Sequence, residues 1–169
     1  MDKRQLAIKE NLQTIRKLDP DYQAFGSEVW QYHLNKYSKE KIQKFEEKNG
    51  ITLPTEFAEF IHILGFGAGP VYGANPEYLL TVDKWEYEET DNYLQPLFDG
   101  YIVVAEHGCG IESMIIIDGI HKGEIWKYVN FELIKISDSY YDWYLKWTES
   151  LIRILQGDKQ KIKLLSGLL

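Results

Sequence analysis

The order of its helical and β-type patterns most constrains what this chain can fold into. Helical patterns come first, β-rich runs follow with no helical pattern between them, and a long helical pattern near 138–156 comes last. The β-rich runs lie at 101–105, 112–118 and 123–129. Strands that follow one another directly pair antiparallel, whereas a parallel sheet needs a crossover between strands. The order therefore predicts an α+β fold, a single domain with helices packed against an antiparallel sheet.

The first helical segments carry start and stop signals. Asp2 can cap a helix over 3–18, and Ser38 can cap the first helix of a hairpin over 38–65. Gly50 supplies the left-handed exit between the two hairpin helices. The second hairpin helix repeats apolar residues at helical spacing, at Phe57, Phe60, Ile61 and Leu64. Each helix is therefore predicted to bury one face.

The hairpin also contains a carboxylate at the edge of its apolar face. Glu46 follows the apolar Phe45, and Pro54 is predicted to occupy the first position of the second helix. We expect the Glu46 carboxylate to accept hydrogen bonds from the loop beside the second helix and so to tie the hairpin together. A role as a functional acid is the alternative.

The closing helix is rich in aromatic residues. Ser137 or Asp138 can cap it, and Gly157 ends it. Its apolar seam consists of Tyr140, Tyr144, Trp147, Leu151 and Ile154. Trp143 and Trp147 are four residues apart and share a helix face. Packing in the core is the favoured role for both, and a ligand-stacking platform is the alternative.

Other parts of the chain have weaker patterns. Residues 21–37 are aromatic but irregular and allow no assignment, a short strand is predicted over 79–82, and a last short helix around 162–165. A chain of 169 residues can bury a core of its own. We expect an N-terminal helix and aromatic-rich extension over 1–37 and a main unit over 38–169, packed together as one unit.

Cysteine usage and hydropathy indicate the compartment. The single cysteine, Cys109, cannot form an internal disulfide, which favours a reducing environment. The apolar run after Lys3 and Arg4 is too short for the core of a signal peptide. The longest uninterrupted apolar run, 101–105, is too short to span a membrane. We therefore expect a soluble, cytoplasmic protein.

Negative charge is concentrated in the middle of the chain. The net charge is −7, but residues 50–149 carry seventeen acidic and five basic residues. Such a field repels nucleic-acid phosphate and attracts basic partners. We therefore expect a protein partner rather than a nucleic acid or a membrane. Simple solubility is the alternative explanation.

Acidic and aromatic residues alternate between 77 and 93. Solvated loops seldom need so many aromatic side chains, whereas interfaces are enriched in Tyr and Trp. The candidate partner-binding residues are Glu77, Asp83, Trp85, Glu86, Tyr87, Glu88, Glu89, Asp91 and Tyr93. A partly buried ordinary loop is the alternative. This stretch is called the acidic aromatic segment below.

The glycine-rich stretch resembles a phosphate loop only in spacing. Gly65, Gly67 and Gly69 alternate, but a helix precedes them and Pro70 follows. A dinucleotide loop must follow a strand and open a helix, so that the amides of the helix point at the pyrophosphate. The stretch is therefore predicted to be a turn, and no cofactor is expected.

His107 and Cys109 are the residues to weigh as a metal or catalytic site. A structural zinc site needs four ligands, and the chain has no second cysteine. A nucleophilic thiolate needs a base or a helix N-terminus beside it, whereas Gly108 and Gly110 predict a tight turn at a strand end. We expect no metal, no catalytic residues and no enzyme activity.

Several short motifs follow one another between residues 38 and 156. They are Ile42-x-x-Phe45-Glu46, Leu53-Pro54-x-x-Phe57, Gly69-Pro70-Val71-Tyr72-Gly73, Gly108-Cys109-Gly110, Gly123-Glu124-Ile125-Trp126 and Tyr140-Tyr141-Asp142-Trp143-Tyr144-x-x-Trp147. In this order they resemble the SUKH superfamily, which includes the fungal Smi/Knr cell-wall regulators and many bacterial immunity proteins. The resemblance implies an α+β binding domain without shared catalytic residues.

The same resemblance implies a function. Bacterial members typically neutralise a toxin, often a nuclease, made by the same cell or a sister cell. The expected function is a non-catalytic immunity protein that binds a polymorphic toxin directly, and its partner would be a basic toxin domain. The alternative is a regulatory or scaffolding protein of the cell-wall (glucan) synthesis regulator type.

Overall fold

A computed structural model describes residues 2–74, 82, 100–129 and 132–157. The helices are α1 (Lys3–Leu18), α2 (Ser27–Trp30), α3 (Lys39–Asn49), α4 (Thr55–Ile63) and α5 (Tyr140–Gly157). The strands are β1 (Leu34–Asn35), β2 (Phe66–Gly67), β3 (Tyr101–Gly108), β4 (Ile111–Ile116), β5 (Ile125–Val129) and β6 (Glu132–Ser137). The predicted strand over 79–82, apart from Val82, and the predicted helix around 162–165 lie outside the described residues.

Both sheets are antiparallel, which confirms the predicted α+β fold. Strands β3 to β6 pair in sequence order, and β1 pairs with β2 in a separate small sheet. Cys109 and Gly110 form the tight turn between β3 and β4, with φ angles of 54° and 73°. Left-handed conformation at both positions of a two-residue turn matches the twist of a β-hairpin. The four-stranded sheet is thus a meander of neighbouring strands.

The sequence analysis missed β6 and extended two other strands too far. In β6 no residue is fully buried and charged residues interrupt the apolar ones, so no continuous β-rich run marks it. The predicted ends at 118 and 123 are wrong because the chain already turns between them. The amide of Ile116 donates to the carbonyl of Glu124, and Gly123 donates back to Ile116, which closes the turn after β4.

Most predicted helix boundaries are confirmed. Asp2 caps α1 through the amide of Gln5, and the Ser38 hydroxyl accepts from the amide of Lys41. Gly50 ends α3 with φ 64°. These bonds satisfy amides that the first turn of a helix leaves without a partner.

Two predicted boundaries are wrong by one or two residues. Pro54 precedes α4 rather than beginning it. At α5 the capping hydroxyl belongs to Ser139, which accepts from the amide of Asp142 at 3.3 Å. The Ser137 hydroxyl donates to the carbonyl of Ser139 instead, so it stabilises the approach to the helix.

The glycine-rich stretch is a turn, as predicted. It follows α4, and the short β2 within it pairs with β1. A Cβ atom at Gly73 would lie 2.0 Å from the carbonyl oxygen of Gly67, so the turn folds back on itself more closely than a side chain allows. The amide of Ala74 donates to that same carbonyl.

The main core lies between the helices and one face of the four-stranded sheet. Ile102, Ile115 and Ile125 reach it from successive strands, and all are fully buried. The helices contribute the apolar stripe of α1 and the aromatic seam of α5 to this core. Trp143 and Trp147 are 8% and 9% exposed, so the favoured role in core packing is confirmed for both.

The Glu46 carboxylate ties the α3–α4 hairpin together, as expected. The amide of Leu53 donates to its Oε1 atom at 2.7 Å. Leu53 is buried, so this amide would otherwise lose its hydrogen bond to water without replacement. The carboxylate therefore fixes the connection between the two helices.

Trp143→Ala should lower the free energy of unfolding by about 3–5 kcal/mol, because it empties a large aromatic site in the core. Chemical denaturation measures the change. Ile120→Ala, at a residue that is 91% exposed, is the control and should change stability by less than about 0.5 kcal/mol. A loss under about 1 kcal/mol for Trp143→Ala would contradict its place in the core.

Glu46→Ala should cost about 1–3 kcal/mol, since it leaves the buried amide of Leu53 without an acceptor. The matched control is Glu47→Ala, whose carboxylate accepts only an exposed side-chain hydrogen bond from Gln43. We expect the control to stay within about 0.5 kcal/mol of the parent in the same denaturation measurement. Equal losses for the two variants would show that the Leu53 contact contributes nothing.

Candidate functional site

Apart from Val82, the acidic aromatic segment lies outside the described residues, and so do all nine of its candidate binding residues. Its neighbours are described. On one side the carbonyl of Gly73 accepts from the amide of Glu106 at 2.7 Å. On the other side the carbonyl of Gly100 accepts from the amide of Ile117 at 3.1 Å, directly before β3 begins. Val82 packs against the main core. The described residues on the two sides of the stretch 75–99 thus lie beside or directly before β3, which is an edge strand among the described strands.

The sheet face opposite the helices carries a second apolar cluster. Side chains alternate between the two faces of a strand, so residues next to the core-facing isoleucines point the other way. The cluster has three buried members, Met114, Ile116 and Trp126, and three partly buried ones, Tyr101, Tyr128 and Leu133. The tryptophan of the Gly-x-Ile-Trp motif therefore packs on this outer face rather than in the main core.

Glu124 holds this tryptophan in place. Its Oε2 atom accepts from Trp126 Nε1 at 2.9 Å and lies 3.0 Å from His121 Nδ1, while Oε1 accepts from Lys135 Nζ at 2.8 Å. Burial opposes ionisation of this carboxyl group, but the hydrogen bonds from Lys135, Trp126 and His121 outweigh it and lower the pKa of Glu124. These bonds join β5 to β6 and to the turn before β5. The hydrogen-bonded group around Glu124 therefore has a structural role.

His107 forms a pair with a serine rather than with the cysteine that the sequence placed beside it. Its Nε2 atom lies 2.8 Å from the Ser113 hydroxyl, and Cys109 is exposed at the hairpin turn. Burial, followed by the charge of Lys127, lowers the pKa of His107 to about 4. Ser113 is fully buried. A neutral imidazole and an enclosed hydroxyl form a satisfied core contact.

An apolar groove lies between the N-terminal extension, the glycine-rich turn and α5. Its main lining residues are Phe25, Trp30, Val71, Trp147, Leu151 and Ile154. We call it the α2 groove, after the short helix at its edge. Its cavity has a volume of about 40 Å³. Sequence analysis missed it, because its outer wall comes from residues 21–37, which showed no regular pattern.

The walls of the α2 groove are held in unusual backbone conformations. Tyr32 and Val71, which both line the groove, have φ angles of 58°. Tyr22 and Gln31, in the same extension as Tyr32, also have positive φ angles, of 53° and 51°. For a β-branched residue such as Val71 this region is a genuine outlier. Strained residues of this kind persist only where their surroundings over-determine them, and they cluster at binding sites and switch regions. The positive φ angles at Tyr32 and Val71 therefore make the groove a candidate binding surface.

Two further observations concern the described residues alone. No three or more His, Cys, Asp and Glu side chains there come together in an arrangement able to hold a metal ion. In that part of the chain no helix combines the length and the apolar character that crossing a membrane requires.

Comparison with protein families agrees with the order of motifs. The model of the SMI1 / KNR4 family (SUKH-1) matches residues 36–147. The chain belongs to this family. Searches of curated proteins and of solved structures found no match. The SUKH family is generally non-catalytic and its membership indicates a protein-binding role. The resemblance inferred from the motifs is thus confirmed.

The surfaces described above differ in whether they lie within the residues of the SUKH-1 match, 36–147. The acidic aromatic segment and both faces of β3 to β5 lie within the matched residues. The α2 groove lies across its boundaries. Val71 and Trp147 belong to the match, whereas Phe25, Trp30 and Ile154 fall outside it.

His107 should make the stability of the protein depend on pH. Its folded pKa of about 4 lies below the ordinary value of 6.5, so between these values the unfolded state binds a proton that the folded state does not. The free energy of unfolding should therefore fall as the pH drops from 6.5 towards 4, by about 2–3 kcal/mol from this group. Denaturant unfolding at a series of pH values measures it.

His107→Gln should flatten this dependence, since glutamine does not titrate. The control is His33→Gln, at an exposed histidine, and should retain the parent's slope. If the parent and His107→Gln lose stability equally between pH 6.5 and 4, His107 is not the group responsible.

Proposed function

We propose that this chain is an immunity protein, which neutralises a polymorphic toxin, such as a nuclease, by binding it directly in the bacterial cytoplasm. The observation that carries the proposal is the family match over residues 36–147. The family includes immunity proteins and cell-wall regulators, and both act by binding proteins. The specific toxin partner and the cytoplasmic location are parts of the proposal.

The charge distribution supports a basic partner. A toxin that acts on nucleic acid presents Lys and Arg side chains to phosphate. An inhibitor can occupy that surface with carboxylates, and residues 50–149 of this chain contain seventeen acidic residues against five basic ones. Complementary charge speeds the encounter and selects the partner, while buried aromatic side chains contribute more of the energy that holds the complex together.

The described structure supports the acidic aromatic segment as the contact surface. The segment follows Gly73 and precedes Gly100, and both residues are hydrogen-bonded to the backbone of the sheet, at Glu106 and Ile117. Binding residues are commonly found on loops that a rigid scaffold positions. The sheet, which holds the residues that flank the segment on both sides, is such a scaffold.

The structure offers little support for catalysis by His107 and Ser113, whose hydrogen bond resembles that of a catalytic base and its nucleophile. His107 and Ser113 are hydrogen-bonded, but the serine is fully buried and burial lowers the pKa of the imidazole to about 4. A general base works best with a pKa near the operating pH and within reach of the proton that it removes. The contact therefore favours a structural role.

The second candidate function is a regulatory or scaffolding protein of the cell-wall (glucan) synthesis regulator type. The family match supports it equally, because the family is named after such regulators. The two functions differ in the number of partners and in affinity. An immunity protein binds one toxin tightly, whereas a scaffold binds several proteins more weakly. A toxin encoded immediately upstream of this chain would favour immunity.

Binding to the toxin encoded next to this chain should depend on the acidic aromatic segment. Intracellular protection needs a Kd on the order of nanomolar, or about −12 kcal/mol. The triple variant Glu86→Lys, Glu88→Lys and Glu89→Lys should slow association most at low salt, since steering between charges is screened by salt. Trp85→Ala should mainly speed dissociation. Surface plasmon resonance at two ionic strengths separates the two rates.

A matched triple variant controls for total charge. Glu10→Lys, Glu40→Lys and Glu47→Lys change the net charge equally, at exposed positions on α1 and α3. We expect this control to bind and protect like the parent. If the segment variants also bind and protect like the parent, the contact surface lies elsewhere on the chain.

A further inference from the structure

We propose that the α2 groove is the docking site for residues 158–169 of the same chain, which follow α5 and lie outside the described residues. We call them the post-α5 segment. This docking goes beyond the proposed function and needs no partner protein. Three features support it: the place where α5 ends, the length and composition of the segment that follows, and the apolar lining of the groove.

The α5 side of the groove leads to the residue where the described chain ends. Trp147, Leu151 and Ile154 form this side, and α5 ends at Gly157, shortly after Ile154. A Cβ atom at Gly157 would meet nothing within 4 Å, so the chain has room to turn there. Glycine also adopts the left-handed conformation with which many helices end. The post-α5 segment therefore starts beside the groove.

The post-α5 segment is long enough to run back along this side of the groove. Trp147, the lining residue of α5 farthest from Gly157, lies about 15 Å back along the helix axis. The twelve residues of the segment span about 40 Å when fully extended and about 18 Å as a helix. Either length reaches Trp147.

The lining of the groove favours an apolar occupant. Two hydroxyl groups in it already have partners. The Ser27 hydroxyl donates to the carbonyl of Ala24 at 2.5 Å, and the Tyr32 hydroxyl donates to the Asp19 carboxylate at 2.5 Å. Phe25, which also lines the groove, is 40% exposed and leaves apolar surface to be covered. An occupant therefore gains mainly from apolar contact.

The composition of the post-α5 segment fits both the groove and the end of α5. Lys159 and Lys161 come soon after the helix. Cations are favoured at a helix C-terminus, and the last turn of α5 has no basic residue of its own. The aliphatic side chains follow at Ile162, Leu164, Leu165, Leu168 and Leu169. The lysines are thus placed to interact with the end of α5, and the aliphatic residues are placed to enter the groove.

The size of the groove favours an occupant from the same chain over a separate protein. Twelve described residues line it, whereas a stable interface between two proteins takes about 20–30 residues on each side. Tethering compensates for a small contact, because a short linker gives the attached segment an effective concentration on the order of millimolar. The outer wall at 24–32 and the post-α5 segment also share one property, since both lie outside the SUKH-1 match.

Paramagnetic broadening of NMR signals in the full-length chain tests the docking. A nitroxide is attached at Ser166→Cys in a chain that also carries Cys109→Ser, which removes the exposed native thiol. The indole N–H signal of Trp30, which lines the groove, should lose most of its intensity and recover it when the nitroxide is reduced. Trp126, on the outer face of the sheet, is the internal control and should keep its signal.

Variants of the segment separate docking from mere attachment to α5. Leu164→Asp with Leu165→Asp should restore the Trp30 signal, because a carboxylate without a partner is costly in an apolar groove. Gln160→Asp with Gly167→Asp adds the same two charges at positions without aliphatic side chains. This matched control should leave the broadening in place.

A second pair of variants changes the groove. Phe25→Asp should also restore the Trp30 signal, since Phe25 lines the groove. Val29→Asp is its matched control, at a residue of α2 that is 50% exposed and not part of the lining. It should broaden Trp30 like the parent. Circular dichroism verifies that each variant is folded, and the segment variants keep the test decisive because they change no described residue.

Several results would overturn the proposal. The first is a Trp30 signal that keeps its intensity in the labelled parent. The second is broadening that survives either Leu164→Asp with Leu165→Asp or Phe25→Asp in folded protein, because attachment near α5 would then explain it. The third comes from mixing isotope-enriched chains without nitroxide and unenriched chains that carry it. Broadening of Trp30 in that mixture would assign the groove to the segment of a second copy.

Discussion

The packing around Tyr144 is the contact on which the rest of the structure depends. Its ring is fully buried and lies 4.9 Å from the rings of both Phe60 and Trp147, measured between centroids. Its hydroxyl reaches the carbonyl of Ala68 in the glycine-rich turn. One side chain of α5 thus contacts α4 and the turn that leads towards the sheet. Apolar burial supplies most of the energy here, and the single hydrogen bond determines where the turn docks.

Polar contacts set the position of α1 on this core. The Gln5 side chain donates to the Tyr141 hydroxyl at 2.9 Å, and Asn11 donates to the Thr148 hydroxyl at 3.0 Å. Gln5 is only 1% exposed, so a shift of α1 along α5 would leave a buried amide without its partner. The apolar stripe of α1 makes association favourable, while these two bonds select one register. Residues ahead of the SUKH-1 match are thereby joined to the matched domain.

The sequence predicted those parts of the fold that depend on one residue type at one position, such as a helix cap or a hydrogen bond to a nearby amide. Asp2, Ser38 and Gly50 mark helix ends in any context. The Glu46 carboxylate accepts a hydrogen bond from the amide of Leu53, only seven residues away in the sequence. The same reasoning failed for β6, because a strand whose residues are all exposed or half-buried needs no continuous apolar run. It also failed for residues 21–37, whose conformation depends on contacts distant in sequence. No local pattern predicts that Gly26 packs against the backbone of Val71, or that His107 forms a hydrogen bond with Ser113 across a hairpin.

The irregular extension is built around a buried carboxylate. Asp19 is 3% exposed and accepts from the amides of Gln23 and Ala24 and from the hydroxyl of Tyr32. These three bonds compensate for removing the carboxylate from water, and they pull the chain into a tight turn. The turn explains why the positive φ angle of Tyr32 is tolerated.

Strain in this wall has a cost that the core must offset. Each left-handed non-glycine residue costs about 1–3 kcal/mol. Two of them, Tyr32 and Val71, line the groove. Arg16 adds to the cost. Its guanidinium donates to the carbonyl of Tyr32, yet its Nε atom is buried without a hydrogen-bond partner in the described structure. A regular helix or strand could cover the core with less conformational strain. That this wall is irregular and strained instead indicates that tertiary contacts, such as the hydrogen bonds to Asp19, determine its shape rather than local conformational preference.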